Sequence, residues 1–588
     1  MNPTPSPHWK PTPLNWLDWV GALALFAGTL GLFLATMKMG FTRDEGFYFH
    51  AAYQYIRWFE ELWVNFGTGD LALSFSQANI DKHWNYNPEH PVLMKTLFAL
   101  SHKLFHETLG WMSASTAMRL PGALSGAVVV STVFLFGRQL FGRAAGIIAA
   151  GAILFQPHFF FHSHLSCFDV PIVALWVAVV YAYWRSYESR YWALLTGLLW
   201  GLALSTKLNA FFLPFVLGLH WLIVHWRWFG LERDQGGVRL RIPPIPWAVV
   251  SMAVFGPLLF YALWPRHWFD TFARIKWYIN FHMRHEHYFV QYFGENIQQP
   301  PLPISYPWVM TLVTVPATIL LGFAIGVGYY VHRRGVIAQA KRWIAALGER
   351  RLLDDPGHDP RGTGWLFAIN ILFPITLIAM PETPIFGGTK HWMPAMPFVA
   401  IFCGAGAVWA ARAAADALGE RFQSMPPRIV HAVLVALLAI SVLAPAIYAT
   451  AYNHPFGTGY YNELIGSHRG AADRLMARQF WGHVSSHGLP YVNEHAEKGA
   501  GIWTHKVVGS AWQMYRREDS ARKDLRAGSY EASQFALYHQ QKEFMYLLIP
   551  LWQNFGTYAP AHVVGIDGVP MLSVYERPKK AAFKHPTK

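Results

Sequence analysis

Runs of about twenty apolar residues, separated by short polar segments, recur along most of the chain. A helix of this length crosses the hydrocarbon core of a bilayer, and a helix satisfies its own backbone hydrogen bonds there. The pattern predicts about 11 transmembrane helices and a mainly α fold class, that of a polytopic membrane helical protein. The predicted spans are 17–37, 120–137, 144–162, 168–184, 191–206, 208–226, 247–264, 308–331, 364–380, 393–411 and 429–450.

Two segments between the first and second predicted spans are amphipathic rather than uniformly apolar. In GFYFHAAYQYIRWFEELWVNFG, Phe49, Ile56 and Trp63 share one helical face, and charged residues fall elsewhere. The second segment, HPVLMKTLFALSHKLFHETLGW, is apolar in places but also carries several charged residues. Both predict interfacial helices that lie along the membrane surface in a first outer loop of about 40–118.

The composition changes to that of a soluble domain from Tyr452 onward. In this part EFMYLLIPLW and PMLSVYERP predict strands, and RGAADRLMARQFWGHVSSHG predicts a helix. The sequence therefore predicts three parts: a disordered cytoplasmic tail at 1–16, a transmembrane domain at 17–450, and a small C-terminal α/β extracytoplasmic domain at 451–588.

The charges indicate how the spans are oriented. The 588 residues are 53% hydrophobic and 14% charged, against about 25% charged in an ordinary soluble protein, and the net charge is +14. A nucleic-acid partner would require one clustered basic surface, whereas these cations are spread over successive short loops. By the positive-inside rule those loops and the N-terminus are cytoplasmic, and the C-terminal domain is periplasmic or extracellular.

We therefore expect an integral protein of a bacterial inner (plasma) membrane that contacts membrane lipids and no nucleic acid. The inner-loop cations are Arg138, Arg143, Arg185, Arg190, Arg227, Arg233, Arg239, Arg241, Arg333, Arg334, Lys341, Arg342, Arg350, Arg351, Arg361, Arg412, Arg421 and Arg428.

Arg43, Asp44 and Glu45 follow the first predicted span directly on the outer side. Adjacent carboxylates at a membrane surface are available as a general base or as metal ligands. They are equally suited to cap the positive N-terminus of the interfacial helix that follows. Their position alone leaves both interpretations open.

Further polar residues recur near the outer ends of other predicted spans. Each one alone suits an interface anchor, because long cationic side chains extend from helix ends toward the headgroups. Together they place several cations near one or two carboxylates, which suits a lipid-borne phosphate and the deprotonation of a hydroxyl. They are His90, Lys95, Arg119, Asp169, Lys207, Lys390 and His391.

The order of several motifs resembles a known class of membrane enzymes. These motifs are the Asp-Glu pair after the first span, HPVLMK, RLPGALSGAVVVSTVFLFGRQLFGRAAGIIAA, FDVP and KHWMPAMPF. The combination resembles the GT-C superfamily of membrane glycosyltransferases. It is most similar to the bacterial family related to the dolichyl-phosphate-mannose protein O-mannosyltransferases and the lipid A aminoarabinose transferases.

This resemblance implies a polyprenyl-phosphate sugar donor and an unknown protein, lipid or glycan acceptor. It implies that Asp44 is the catalytic base, with Glu45 beside it and Asp169 as a further acidic residue of the site. Lys95 takes the position that contacts the donor phosphate. Weaker assignments to phosphate binding are Arg119, Lys207, His90, Lys390 and His391.

The implied reaction is a single inverting displacement, which requires no cofactor; a divalent cation is compatible with it, and no metal ligands are assigned. The alternative is a polytopic transporter or flippase of a lipid-linked sugar. Transporters commonly show paired halves with sites at mid-membrane depth. Here the polar residues gather at one face and no internal symmetry is visible, so the sequence favours the transferase.

Overall fold

The computed structural model describes residues 11–225, 230–234, 237–333, 361–418 and 426–578, and the chain is mainly helical over these ranges. The α-helices are α1 Trp16–Ala35, α2 Arg43–Thr68, α3 Leu71–Ser74, α4 Gln77–Trp84, α5 Leu93–Ser101, α6 Ala114–Phe141, α7 Arg143–Leu154, α8 Pro157–His162, α9 Asp169–Ser186, α10 Arg190–Leu204, α11 Leu213–His225, α12 Trp247–Leu263, α13 Thr271–Met283, α14 Tyr306–Thr314, α15 Ala317–Arg333, α16 Thr363–Ala379, α17 Met396–Leu418, α18 Pro427–Asn453, α19 Ser467–Asp473, α20 Ser485–His495, α21 Gly509–Arg517 and α22 Leu548–Phe555.

The strands are β1 Gly230–Asp234, β2 Gly237–Arg241, β3 Val290–Tyr292, β4 Glu295–Ile297, β5 Gly501–Thr504, β6 Arg526–Ala527, β7 Phe535–His539, β8 His562–Ile566 and β9 Val569–Glu576. The first four form two antiparallel hairpins.

Within the described residues, five helical runs are long and apolar enough to cross a membrane: Trp16–Ala35, Ala114–Phe141, Leu208–His225, Met393–Leu418 and Pro427–Asn453. The bent pair of α14 and α15 is a sixth candidate, and α7, α12 and α16 are shorter apolar helices. The chain is therefore an integral membrane protein. The count of 11 spans stays a prediction.

Two predicted spans are not single helices. The predicted span 308–331 is broken between α14 and α15, whose axes differ by 110°. The break lies at Pro316, which lacks a backbone N–H and cannot continue the helix before it. The predicted span 144–162 is likewise divided, into α7 and the short α8, where Pro157 starts the second helix.

Small residues let the central helices approach closely. A Cβ added at Gly137 of α6 would lie 3.2 Å from Cα of Gly146 in α7, and one at Gly404 of α17 would lie 2.1 Å from the carbonyl oxygen of Ala145. Such contacts are typical of packed membrane helices. At the predicted inner ends, the fully buried carboxylate of Asp18 is paired with two of the predicted inner-loop cations, Arg138 and Arg143.

Part of the predicted N-terminal tail is folded onto the bundle. The backbone N–H of Thr12 donates to the carbonyl of Gln139, and Asn15 caps α1. Residues 1–10 of the tail lie outside the described residues, as do seven of the predicted inner-loop cations. These are Arg227, Arg334, Lys341, Arg342, Arg350, Arg351 and Arg421.

The first outer loop contains the predicted amphipathic helix, but this helix begins earlier than the hydrophobic pattern indicated. Thr42 and Glu45 form a reciprocal capping box at its N-terminus: the Thr42 hydroxyl accepts from the Glu45 N–H, and the Glu45 carboxylate accepts from the Thr42 N–H. Asp44 and Glu45 therefore lie in the first turn of α2. Phe49 and Ile56 are buried, whereas Trp63 is exposed.

The C-terminal segment contains a five-stranded sheet with the order β6-β5-β7-β9-β8. Strand β5 is parallel to β6 and β7, and β9 is antiparallel to β7 and β8. Residues of the C-terminal segment share a hydrophobic core with the first outer loop. In this core Phe41 and Tyr48 lie with Leu489, Trp512 and Tyr515.

Two sequence predictions for this segment were wrong. EFMYLLIPLW is not a strand: it forms a 3-10 helix at Lys542–Leu547 followed by α22, with Leu551 and Phe555 buried and Ile549 exposed. The predicted helix RGAADRLMARQFWGHVSSHG is helical only near its two ends, in α19 and α20. Between them Leu475, Trp481 and Gly482 have positive φ angles, which interrupt a helix. PMLSVYERP contains strand β9, as predicted.

Candidate active site

The first carboxylate of the predicted site is paired with a cation from a distant part of the chain. Asp44 lies in the first turn of α2, and its side chain is 27% exposed. Nζ of Lys390 lies 3.3 Å from Oδ2 of Asp44, and the Lys390 side chain is buried. Lys390 belongs to the 3-10 turn Gly388–His391 that precedes α17. The structure thus brings together two residues that the sequence motifs had assigned separately.

A second pair lies at the start of α9. Oδ1 of Asp169 accepts from Nζ of Lys207 at 2.6 Å, and Oδ2 lies 3.5 Å from Nδ1 of the buried His162. Lys207 follows α10, so the pair joins the start of α9 to the connection between α10 and α11. Asp169 is almost fully buried, whereas Lys207 keeps part of its surface exposed.

The pKa shifts indicate that the charges of the two pairs, Asp44–Lys390 and Asp169–Lys207, influence each other. Burial alone would disfavour the charge on Lys390, but Asp44 and Asp169 outweigh it and raise the pKa of Lys390. The pKa of His391 is held well below its usual range, first by burial and then by Lys207 and Lys390. His391 is therefore neutral at pH 7, and its Nε2 lies against the carbonyl oxygen of Phe386.

His90 contributes a second neutral imidazole near these pairs. Burial lowers its pKa well below the ordinary value, and the charges of Lys95, Lys207 and Lys390 act in the same direction. The ring packs edge-on against Tyr48 and Phe168, with centroids 5.7 and 5.5 Å away. Both imidazoles thus lie among the cations of the site, and the phosphate-binding role that the resemblance implied for His90 and His391 stays a prediction.

Glu45 and Arg119 form a buried pair that holds the turn before α2. Arg119 contacts the Glu45 carboxylate through Nε at 2.7 Å and Nη2 at 2.9 Å, and both side chains are buried. Arg119 also donates to the carbonyls of Met37, Met39 and Gly40. The backbone N–H of Ser166 donates to the same carboxylate. The five hydrogen bonds of the Arg119 guanidinium all go to oxygens of the protein. The roles that the resemblance implied, Glu45 in catalysis and Arg119 in phosphate binding, stay predictions.

Lys95 also lies away from the place that the sequence assigned to it. The side chain is fully buried, and Nζ donates to the carbonyls of Asn87 at 2.7 Å and His90 at 2.9 Å. Burial lowers its pKa to about 7. Lys95 holds the loop at 87–90 in shape, so it acts on the site through this loop and does not present its ammonium to a donor phosphate in this structure.

One residue of the site was not predicted at all. Trp481, from the C-terminal segment, lies with its ring centroid 4.1 Å from Nζ of Lys390 and meets the ring of His162 edge-on at 5.1 Å. The sequence carries one signal for it: Gly482, which follows Trp481, is unfavourable inside the helix predicted there.

The described ranges contain no group of three or more His, Cys, Asp or Glu side chains that could hold a metal ion. In the segment FHMRHEHYF, Nε2 of His282 lies 2.9 Å from the carbonyl oxygen of Glu89, and the ring of His285 stacks on Phe386. These histidines therefore pack beside the site.

The part of the chain that carries HPVLMK, Asp169 and Lys207 matches a known protein family in sequence. Residues 89–261 match the family of dolichyl-phosphate-mannose-protein mannosyltransferases. The resemblance inferred from the sequence motifs is thereby confirmed, with the matched residues covering less than a third of the chain. No curated protein matches the chain significantly in sequence.

Similar solved structures come from two groups of membrane proteins. ArnT from Cupriavidus metallidurans in the apo state is 14% identical, with 95% of this chain and 98% of that chain covered and a TM-score of 0.43. The same protein bound to undecaprenyl phosphate is 15% identical, with 95% and 97% covered and a TM-score of 0.43. The oligosaccharyltransferase AglB from Archaeoglobus fulgidus, in complex with an inhibitory peptide and a dolichol-phosphate, is 10% identical, with 89% and 70% covered and a TM-score of 0.43.

Proposed function

We propose that this protein is a glycosyltransferase that moves a sugar from a polyprenyl-monophosphate donor to an acceptor on the outer side of the membrane. The observation that carries the proposal is the pairing of the partly exposed Asp44 carboxylate with the buried Lys390 ammonium, beside the Asp169–Lys207 pair. The match of residues 89–261 supports it, because that family is described by a sugar on a dolichyl phosphate.

Asp44 is the proposed base. Oδ2 is held by Lys390, which leaves Oδ1 to accept a hydrogen bond from an acceptor hydroxyl. A base within hydrogen-bond reach of the attacking hydroxyl accepts its proton as the new bond forms. The hydroxyl oxygen bonds to the anomeric carbon, the bond from that carbon to the phosphate oxygen breaks, and its electron pair leaves with the polyprenyl phosphate. One displacement of this kind inverts the anomeric centre.

The leaving group determines what else the site must supply. A phosphate leaves readily, so the site needs cations near the developing charge rather than a strong general acid. Lys207 and Lys390 are the two buried or half-buried lysines beside the carboxylates. Arg43 is exposed next to Asp44, and no described residue forms an ion pair or side-chain hydrogen bond with its guanidinium. We assign the donor phosphate to these three cations, with Lys95 supporting the loop at 87–90.

The wider topology belongs to the same proposal. We place the N-terminus in the cytoplasm, 11 spans in a bacterial inner membrane, and the C-terminal segment outside. Asp44, Lys207 and Lys390 then face the compartment from which an envelope or secreted acceptor would approach. The acceptor class and the identity of the sugar are left open.

The decisive experiment uses the full chain in liposomes with a panel of radiolabelled undecaprenyl-phosphate sugars and an extract of cell-envelope lipids, glycans and proteins that supplies the acceptor. We expect one donor to be consumed in a time-dependent reaction that releases undecaprenyl phosphate, and profiling of glycans and lipids in a deletion strain to identify the missing product. A lipid-linked sugar that crosses the bilayer with its glycosidic bond intact would instead support the alternative of a transporter or flippase.

A further inference from the structure

The C-terminal segment forms hydrogen bonds and a packing contact with the turn that carries Asp44. The backbone N–H of Phe41 donates to the Tyr515 hydroxyl at 2.7 Å, and the Ser510 hydroxyl donates to the carbonyl of Gly46 at 2.5 Å. A Cβ added at Gly46 would lie 2.2 Å from Cγ2 of Val508, so the Val508 side chain packs directly against the backbone of α2 at Gly46. Both ends of this turn are therefore fixed by residues far along the sequence.

Trp481 is the part of this segment that reaches the paired charges. Its carbonyl accepts from the backbone N–H of Arg43 at 2.9 Å, and its ring lies over the ammonium of Lys390. An aromatic face attracts a cation, and the attraction is strongest where water is excluded, as around the buried Lys390 side chain. One residue thus contacts the backbone beside Asp44 and the side chain of the cation paired with Asp44.

The surrounding backbone is built to keep this ring in place. Trp481 has a φ of 65°, which is rare for a bulky residue, and Gly482 follows with a φ of 75°. On the opposite side Gly387 has a φ of 72°, and a Cβ there would lie 2.3 Å from Cζ2 of Trp481. An unfavourable backbone conformation persists only where neighbouring contacts determine it, and such positions cluster at functional sites.

We infer that Trp481 is a positioning residue that holds the Lys390 ammonium against Asp44, so that the C-terminal segment completes the active site. The inference deepens the proposed function and rests on it for the catalytic consequence. Without the indole ring, the buried ammonium gains room and water, and its geometry relative to the base is no longer fixed.

The test compares Trp481→Ala with Trp481→Phe, which keeps an aromatic face. The matched control is Trp552→Ala, the same substitution in the same segment, where the indole packs instead on a separate small core with Phe555 and Tyr575. We expect Trp481→Ala to lower kcat about tenfold with little change in donor KM, Trp481→Phe to recover most of the loss, and Trp552→Ala to retain wild-type kcat.

A second measurement does not depend on transferase activity. Reductive methylation with isotope-labelled formaldehyde, read by mass spectrometry, reports how accessible and mobile each lysine is. Relative to the exposed Lys523, labelling of Lys390 should be slow in the wild type, several-fold faster in Trp481→Ala, and slow again in Trp481→Phe.

The two measurements separate the inference from the proposed function. Faster labelling of Lys390 in Trp481→Ala with no donor accepted by any variant would uphold the positioning role and reject the transferase. Unchanged labelling in Trp481→Ala would overturn the positioning role even if kcat fell. An equal loss in Trp552→Ala would also overturn it, because the effect would then belong to the segment as a whole.

Discussion

Nζ of Lys390 and Oδ2 of Asp44 lie 3.3 Å apart although 346 positions separate the two residues in the sequence. The contact joins the start of the first outer helix to the turn before α17, and Trp481 covers it from the C-terminal segment. A partly exposed carboxylate next to a buried cation is the arrangement on which the proposed chemistry depends.

Replacing Asp44 tests the proposed base most directly. Asp44→Asn keeps the shape of the side chain but removes its capacity to accept a proton, so we expect kcat to fall by about 100- to 10,000-fold with normal protein yield. The rate of sugar transfer from the accepted donor in liposomes measures this. Asp81→Asn is a matched control, because Asp81 is an outer-side carboxylate in its own ion pair with Arg274. Full activity of Asp44→Asn would refute the assignment.

Replacing Glu45 should affect stability rather than chemistry. Glu45→Ala leaves the Arg119 guanidinium buried without its carboxylate and removes one half of the capping box, so we expect a loss of about 3–5 kcal/mol in stability. Thermal unfolding and the monodisperse yield in detergent measure this. Asp44→Asn should cost less stability, because Asp44 is partly exposed and Asp169 also stabilises the charge on Lys390. A stable but inactive Glu45→Ala variant would instead assign Glu45 to the chemistry.

The Asp169–Lys207 pair should show strong energetic coupling. Lys207→Met leaves the Asp169 carboxylate, with 6% of its side chain exposed, without its nearest cation, which we expect to destabilise the protein by about 3 kcal/mol. The double variant Asp169→Asn with Lys207→Met should recover part of that stability, because no isolated charge is then buried. Thermal unfolding of the two single variants and the double variant measures the coupling. Strictly additive effects would argue against a direct interaction.

Lys95 should make stability depend on pH above neutrality. Its pKa is lowered to about 7 in the folded protein from an ordinary value of 10.5. Between these values the unfolded chain binds the extra proton and the folded protein does not, so the Lys95 contribution to stability rises with pH. Below about pH 7 both states are protonated, and the penalty of burying the ammonium is fully present.

We therefore expect the stability of the wild type relative to Lys95→Met to increase from pH 7 toward pH 10. Melting temperatures of both proteins, measured in detergent across this range, provide the comparison. Parallel curves would show that Lys95 keeps the same charge when folded and unfolded.

The sequence predicted most helical positions well, because long apolar runs can fold in few other ways within a membrane. Short apolar segments were harder. The run around Leu547 has the composition of a buried strand, although the burial of Leu551 and Phe555 beside an exposed Ile549 follows a helical period. Over so few residues the two periods cannot be distinguished.

For the candidate site, the motifs identified which residues matter but not what each one does. Lys95, Arg119 and Lys390 are all cations in predicted outer segments. Nothing in the sequence shows which of them already have a partner within the protein. The structure separates them by their partners: backbone carbonyls for Lys95, Glu45 for Arg119, and Asp44 for Lys390. Trp481 escaped prediction because its segment has the pattern of one continuous helix, whereas a left-handed turn brings it to the site.

The adjacent carboxylates of Asp44 and Glu45 point in different directions, because each residue of an α-helix is rotated by about 100° from the one before it. Glu45 faces the interior and pairs with Arg119, whereas Asp44 is 27% exposed beside Lys390. The order of the two acids in this dipeptide therefore matters. Exchanging the two acids, Asp44→Glu together with Glu45→Asp, would preserve composition and charge. The shorter inner carboxylate would then fall short of Arg119, and the longer outer one would crowd Lys390.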